Sequence, residues 1–198
     1  MLRGLAGPGV RVAATGMGAV PAEQCARQVI ADGATAVIST GFCGALDPAL
    51  ELGQVVVPEQ VRDARTGEVY PCDPALAGGA GQRHGTLVTT PQVVTDPAAR
   101  AALEGTAVDM ESAGIARACR DAGVPFAAVR AVTDRAGDVL PHMDGVVDGA
   151  GRVHGLRMAG RLARHPGEIA AWARLARGAG AARRGLVPAM TAVLAGAA

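Results

Sequence analysis

Two short stretches place carboxylates where an apolar run gives way to another element: Asp109-Met110-Glu111-Ser112 and Arg130-Ala131-Val132-Thr133-Asp134. A protonated carboxylic acid can donate to a leaving group, and an ionised one can accept hydrogen bonds from sugar-like hydroxyls. Each stretch also has a plainer explanation. Acidic residues at 109–112 can favour a helix N-terminus electrostatically, and Arg130 with Asp134 can be a structural ion pair. Spacing alone leaves both readings open.

Two glycine-rich stretches add backbone chemistry. Gly16-Met17-Gly18, between an apolar run and a helix-like segment, can cradle an anion with its N–H groups. As a dinucleotide fingerprint it fails, because Pro21 takes the third glycine's place and no acidic residue ends the next strand; a tight turn is the alternative. In Thr40-Gly41-Phe42-Cys43-Gly44 the two glycines would let backbone approach a flat or sugar-like ligand closely, or would serve a turn.

Elements must position these residues. Residues 10–15 read as a strand, 21–31 as a helix stopped by Gly33, and 36–39 as a second strand running into a loop at 40–48. Residues 54–57 read as a strand, 63–68 as a hairpin-like turn, and 71–85 as loop. Strands follow at 86–90, 106–110 and 126–132, with helices at 97–104 and 112–122, the latter ended by Gly123. Alternating strands and helices, with strands apolar enough to be covered on both faces, predict a three-layer α/β/α sandwich around a central mixed sheet. In such sheets ligands bind beyond the carboxyl ends of strands, where all four stretches fall.

With 198 residues, 49% of them hydrophobic, the chain can bury a core without disulfides or metal. Only four aromatic residues occur, Phe42, Phe126, Tyr70 and Trp172, too few for the stacking platforms of single-stranded nucleic-acid binders, so no nucleic-acid partner is expected. Cys25, Cys43, Cys72 and Cys119 are far apart, with no zinc-ligand spacing, which predicts a reduced protein with no metal site. No stretch reaches the length of a membrane span and no signal-peptide pattern opens the chain, so a cytoplasmic location is expected. Net charge is +1, but Arg152, Arg157, Arg161, Arg164, Arg174, Arg177, Arg183 and Arg184 face only Glu168 in the last quarter. This basic segment, 151–198, is read as a helical extension of the α/β domain at 1–150, with peripheral contact to anionic membranes as one role and a solvated helix face as the other.

Taken in order, the segments Thr15-Gly16-Met17-Gly18, Ser39-Thr40-Gly41-Phe42-Cys43-Gly44-Ala45-Leu46, Leu52-Gly53-Gln54-Val55-Val56-Val57-Pro58, Val108-Asp109-Met110-Glu111-Ser112 and Val129-Arg130-Ala131-Val132-Thr133-Asp134 resemble the methylthioadenosine/adenosylhomocysteine nucleosidases and purine nucleoside phosphorylases. The resemblance covers about the first 140 residues. Within that superfamily, Leu46-Asp47-Pro48-Ala49-Leu50, Val69-Tyr70-Pro71-Cys72-Asp73 and the basic C-terminal stretch are similar to the hopanoid-biosynthesis branch, which acts on adenosylhopane.

The resemblance implies a purine nucleosidase without a cofactor, assembled as a homo-oligomer such as a dimer, acting on a small nucleoside. Asp134 matches the general acid that protonates the departing base, and Arg130 the residue that orients the ribose side or the attacking water. Glu111 matches the carboxylate that holds the ribose hydroxyls, with Met110 packed on the sugar and Asp109 beside it. Val93 and Val94 match a segment contacting the base through its backbone, and Gly16, Gly41, Phe42, Cys43 and Gly44 match the loops around the ligand.

Three departures qualify the resemblance. The family usually opens with a further strand bearing a water-activating glutamate, and Met1 lies shortly before what reads as the second strand, so the sheet is expected to lack the first. Phe42 stands where a small polar residue is common, which suits an apolar substrate. No arginine lies in the glycine loops, where phosphorylases clamp phosphate, so hydrolysis is expected over phosphorolysis. The leading expectation is release of adenine from an adenosine carrying a large apolar 5′ substituent. The alternatives are a methylthioadenosine/adenosylhomocysteine or futalosine-type nucleosidase, and a nucleoside-binding protein without catalysis.

Overall fold

A computed structural model describes residues 9–81, 85–141 and 155–196. Among the described residues, seven strands form one mixed sheet: β1 Val37–Ala45, β2 Val55–Val56, β3 Gln60–Asp63, β4 Val69–Pro71, β5 Thr86–Thr89, β6 Ala107–Asp109 and β7 Phe126–Asp134, in the order β2-β7-β1-β6-β5-β3-β4. The helices are α1 Ala19–Ala31, α2 Pro97–Ala101, α3 Ser112–Ala122, α4 Gly155–Arg164 and α5 Ile169–Gly196.

The β7 strand explains the layering. Its residues alternate between two cores: Phe126, Ala128 and Val132 pack with Ala22, Ala26, Ile115 and Cys119 of α1 and α3, while Ala127, Val129 and Ala131 pack with Ala182, Leu186, Met190 and Val193 of α5. A strand buried on both faces reads as a continuous apolar run, and its period of two decides which helix each side chain meets. Arg130 and Asp134 share the parity of Ala128 and Val132, so both lie on the α1/α3 side. On α5, Trp172, Ala182, Leu186, Met190 and Val193 are buried at helical spacing.

The β1 and β7 strands run parallel from Val37↔Phe126 to Cys43↔Val132, and an irregularity between Cys43 and Gly44 then sets Gly44 opposite Asp134. Among the described residues, the other edge of β1 meets a strand only at Gly44 and Ala45, which pair antiparallel with β6. Helix α3 begins directly after β6, where Glu111 is its N-cap residue, and ends at Gly123 with φ 67°, a left-handed conformation glycine adopts without strain.

Three expectations need correction. Residues 10–15 are not a strand: Val10 makes an isolated bridge and residues 11–16 are irregular, because an apolar run becomes a strand only beside a neighbour that takes its backbone hydrogen bonds. Residues 40–45, read as loop, are the second half of β1; glycine and threonine resemble turn residues, but pairing with β7 holds them extended. Helix α1 starts at Ala19, two residues earlier than its sequence pattern suggests. The hairpin at β3–β4 and helix α3 fall where the sequence places them. The expectation about a preceding first strand lies outside the described residues, as does Arg152 in the basic segment.

Candidate active site

Asp134 closes β7 and is 6% exposed. Its Oδ1 lies 2.6 Å from the Thr133 hydroxyl, which is also 3.1 Å from the Cys43 carbonyl. Its Oδ2 lies 2.7 Å from Nη1 of Arg100, a residue 1% exposed that also donates from Nη2 to the Ala45 carbonyl at 2.8 Å. The carboxylate–guanidinium contact is a close ion pair without hydrogen-bond alignment: Oδ2 and Nη1 are buried and neither has a hydrogen-bond partner among the described residues. Gly44 makes room for it, since a Cβ there would lie 2.6 Å from Arg100 Nη2 and 2.7 Å from Asp134 Oδ2.

A second carboxylate pair comes from the junction between β6 and α3. Asp109 accepts from the Thr89 hydroxyl at 2.6 Å and from the Ser112 N–H at 3.1 Å, and pairs with Arg130 Nη2 at 2.7 Å. Arg130 Nη2 is also 2.7 Å from Ser39 Oγ and 2.8 Å from Ser112 Oγ. With side chains 0% and 4% exposed, Asp109 and Arg130 form a buried polar floor that ties β1, β6, β7 and α3 together. The helix-capping and ion-pair readings of the sequence therefore both describe Asp109, whose ion-pair partner is Arg130; Asp134 pairs with Arg100 instead.

Glu111 takes a main-chain partner. Its Oε1 accepts the Gly18 N–H at 3.0 Å. Burial is the main influence on its carboxyl and raises it above the usual glutamate range; the nearby Arg130 charge and the backbone donors of Gly18 and Met110 oppose this, and Asp109 reinforces it. Burial likewise pushes the Cys43 thiol far up, so it is a neutral group.

One cavity of about 1280 Å³ gathers these groups. The residues assigned to a site through the resemblance line it: Gly16, Gly41, Phe42, Cys43, Gly44, Val93, Val94, Asp109, Met110, Glu111, Arg130 and Asp134; Gly18 and Ser112, in the same stretches, do not. Thr133, part of the Arg130–Asp134 stretch, lines it too; sequence reasoning missed Arg100 and an apolar wall of Leu140, Trp172, Leu175 and Ala179. The helical spacing of Trp172, Leu175 and Ala179 was legible, but not which end of the sheet they meet. For Arg100 no signal existed, because a lone arginine in a short helix reads as surface.

The arrangement offers a proton donor or acceptor at Asp134, a hydroxyl acceptor at Glu111, and an apolar wall beside them. No group of metal-ligating side chains occurs among the described residues. Arginines do reach the glycines, since a Cβ at Gly41 would collide with Arg130 Nη1 and one at Gly44 would crowd Arg100. Each is already paired with a carboxylate, Asp109 or Asp134, so neither is a free anion clamp.

Comparison with known proteins identifies the family. A family model described as the phosphorylase superfamily matches residues 1–153. The chain is 28% identical over 180 residues to a 5′-methylthioadenosine/S-adenosylhomocysteine nucleosidase of Mycobacterium bovis, covering 65% of this chain and 70% of that one. It is 30% identical over 131 residues to the enzyme of that name from Bacillus cytotoxicus, covering 51% and 57%. A solved S-adenosylhomocysteine nucleosidase of Streptococcus pyogenes, in complex with 5-methylthiotubericidin, superposes with TM-score 0.55 at 29% identity, covering 62% of this chain and 64% of that one. The fold extends further in the Neisseria meningitidis nucleosidase, with TM-score 0.68, 21% identity, and coverage of 93% and 79%. The chain thus spans between 57% and 79% of the length of these relatives. By its matched sequence and its sheet, the chain belongs to the nucleoside phosphorylase/nucleosidase superfamily.

Proposed function

We propose that the protein hydrolyses the N-glycosidic bond of an adenosine-type nucleoside bearing an apolar 5′ substituent and releases adenine. The observation that carries this reading is the presence of Asp134 and Glu111 on one cavity, at the end of β7 and at the β6–α3 junction. Departure of a purine leaves negative charge on the base and oxocarbenium character on the sugar. Asp134 gives its proton to N7, the glycosidic electron pair goes to the base, and water adds at C1′, releasing a proton that restores the acid. Glu111, as a carboxylate, accepts from the ribose hydroxyls, and Met110 packs on the sugar. The backbone of Val93 and Val94 faces the base. Arg130 supports the ribose side indirectly, through the floor it builds with Asp109.

Phe42, Trp172 and Leu175 support an apolar 5′ group, because a partly apolar cavity favours a substituent that loses water-exposed area on binding. Relatives named for methylthioadenosine and S-adenosylhomocysteine keep those two substrates as the alternative. Arg164, Arg174, Arg177, Arg183 and Arg184 are exposed along α4 and α5, which suits contact with an anionic membrane holding a lipid-linked nucleoside. No described helix is long and apolar enough to cross a membrane.

The direct test is adenine release from methylthioadenosine, S-adenosylhomocysteine, a futalosine-type nucleoside and an adenosine with a long 5′-alkyl chain. The highest kcat/KM is expected for the alkyl compound. Preference for methylthioadenosine or S-adenosylhomocysteine removes the apolar-substituent reading. Binding without release from any of them makes the protein a nucleoside-binding protein.

A further inference from the structure

Arg100 is costly where it stands. A guanidinium 1% exposed, carried on a five-residue helix, gives up its hydration, and an apolar residue of similar size would fill the space without that penalty. The helix is built to hold it: the Asp96 side chain caps the N–H groups of Ala98 and Ala99 at 3.4 and 2.9 Å, and Pro97 opens the first turn. Its Nη2 is anchored on the Ala45 carbonyl, and its Nη1 faces Asp134 Oδ2 at 2.7 Å. Gly44, set opposite Asp134 by the irregularity in β1, leaves the gap through which the two meet.

We infer that Arg100 is the positioning residue of the acid: it fixes the Asp134 carboxyl through Oδ2 and receives the negative charge left there when the proton departs. This rests on the nucleosidase reading above. The two carboxyl oxygens have different surroundings. Oδ2 faces a fixed cation, so it is the oxygen that holds charge. Oδ1 faces the Thr133 hydroxyl, whose single proton can turn toward the Cys43 carbonyl, so Oδ1 is free to carry the catalytic proton. In the forward step that proton passes from Oδ1 to purine N7, the C1′–N9 bond electrons go to the base, and the carboxylate formed lies against Arg100. A preorganised charge aimed at developing charge accelerates a reaction without reorganisation at the moment of transfer.

The test uses the full chain with Arg100→Met, Arg100→Lys, Asp134→Asn and the double variant Arg100→Met/Asp134→Asn. Arg100→Met is expected to lower kcat by about 10²-fold, with KM nearly unchanged, and Arg100→Lys to recover part of the loss. In the Asp134→Asn background, Arg100→Met should change kcat by no more than about twofold, because the group it acts through is gone. A residue that merely holds the fold would add its full cost there. Since Arg100→Met leaves a buried carboxylate unpaired and can fail to fold, Arg100→Lys and Gly44→Ala, which crowds the pair, serve as second variants.

A binding arm works without turnover. The base 9-deazaadenine presents an N–H at the N7 position, from which the ionised Asp134 left after proton transfer and held by Arg100 accepts a charge-assisted hydrogen bond, whereas adenine presents a lone pair that this form cannot meet. Calorimetry on the wild type should favour 9-deazaadenine by about tenfold or more, and Arg100→Met should erase that preference. An active wild type whose Arg100 variants keep both kcat and the preference overturns the positioning role alone. A wild type that releases no base and treats the two bases alike overturns the nucleosidase reading and the inference built on it.

Discussion

The backbone N–H of Gly18 donates to Glu111 Oε1 at 3.0 Å, joining the glycine turn before α1 to the first residue of the α3 N-terminus. Gly18 sits at φ 97°, and this turn supplies the hydrogen bond that partly offsets burial of the carboxylate. The same carboxylate is the proposed ribose anchor, so function and stability pull on it in opposite directions.

Glu111→Gln is therefore expected to weaken riboside binding while stabilising the fold at neutral pH. Each ribose hydrogen bond to the charged acceptor contributes about 1.5–3 kcal/mol, and free adenine should lose far less. Burial raises the folded-state pKa, so the protonated form's stabilisation is complete below the ordinary glutamate range and is lost as pH rises through the raised value. Thermal melts should show Glu111→Gln close to wild type in acid and above it at neutral pH. A lower Tm at neutral pH, or equal losses for adenine and riboside in calorimetry, would make Glu111 a fold residue.

Asp134→Asn should lower adenine release by about 10²–10⁴-fold, because the amide keeps the shape of the carboxyl but has no acidic proton. It should also lower Tm, since it strands Arg100: breaking a buried pair from one side costs about 3–5 kcal/mol. Unchanged turnover, followed by adenine absorbance, would remove Asp134 from the mechanism.

Two glycines on α5 should respond oppositely to alanine. A Cβ at Gly178 would overlap the Thr133 carbonyl oxygen, which is backbone and cannot turn away, so Gly178→Ala should destabilise by about 1–3 kcal/mol. At Gly180 the nearest group is Arg184 Nη1 at 3.6 Å, so Gly180→Ala should gain up to about 1 kcal/mol from helix propensity. Urea unfolding of both variants checks this, and stabilisation by Gly178→Ala would mean that α5 sits further from β7.

Vesicle co-sedimentation tests the basic face. The exposed arginines of α4 and α5 should bring the protein down with anionic but not neutral vesicles at low salt, at about 1 kcal/mol per arginine near the surface, and release it at high salt. Trp172 is buried and Leu175 lines the cavity, so the attraction is electrostatic and Trp172 fluorescence should not change. Protein left in the supernatant with anionic vesicles at low salt would make the arginines a solvated helix face.

The sequence was most legible where local and tertiary signals coincide. Helix α3 shows its start in Glu111-Ser112 and its stop in Gly123, and β7 shows itself as an apolar run, because burial on both faces leaves no room for polar residues except Arg130, Thr133 and Asp134. The second half of β1 was hidden because Thr40, Gly41 and Gly44 are turn-like by composition, and only pairing with β7 holds them extended. The site residues inferred from the sequence line the cavity, although Gly41, Phe42, Cys43 and Gly44 lie within β1 and Arg130 within β7 and do not follow a strand as the sequence suggests. Arg100 was invisible: its meeting with Asp134 depends on a missing side chain at Gly44, a coincidence of three separate elements.

The close seat of Gly178 on the Thr133 carbonyl makes α5 more than an appendage to the sheet. The residue before Asp134 touches the main chain of a helix about 45 positions later, so the position of the carboxyl end of β7 and that of α5 are tied together. Loosening α5 at Gly178 would therefore reach Asp134 through the main chain of Thr133, with no side chain of the cavity altered.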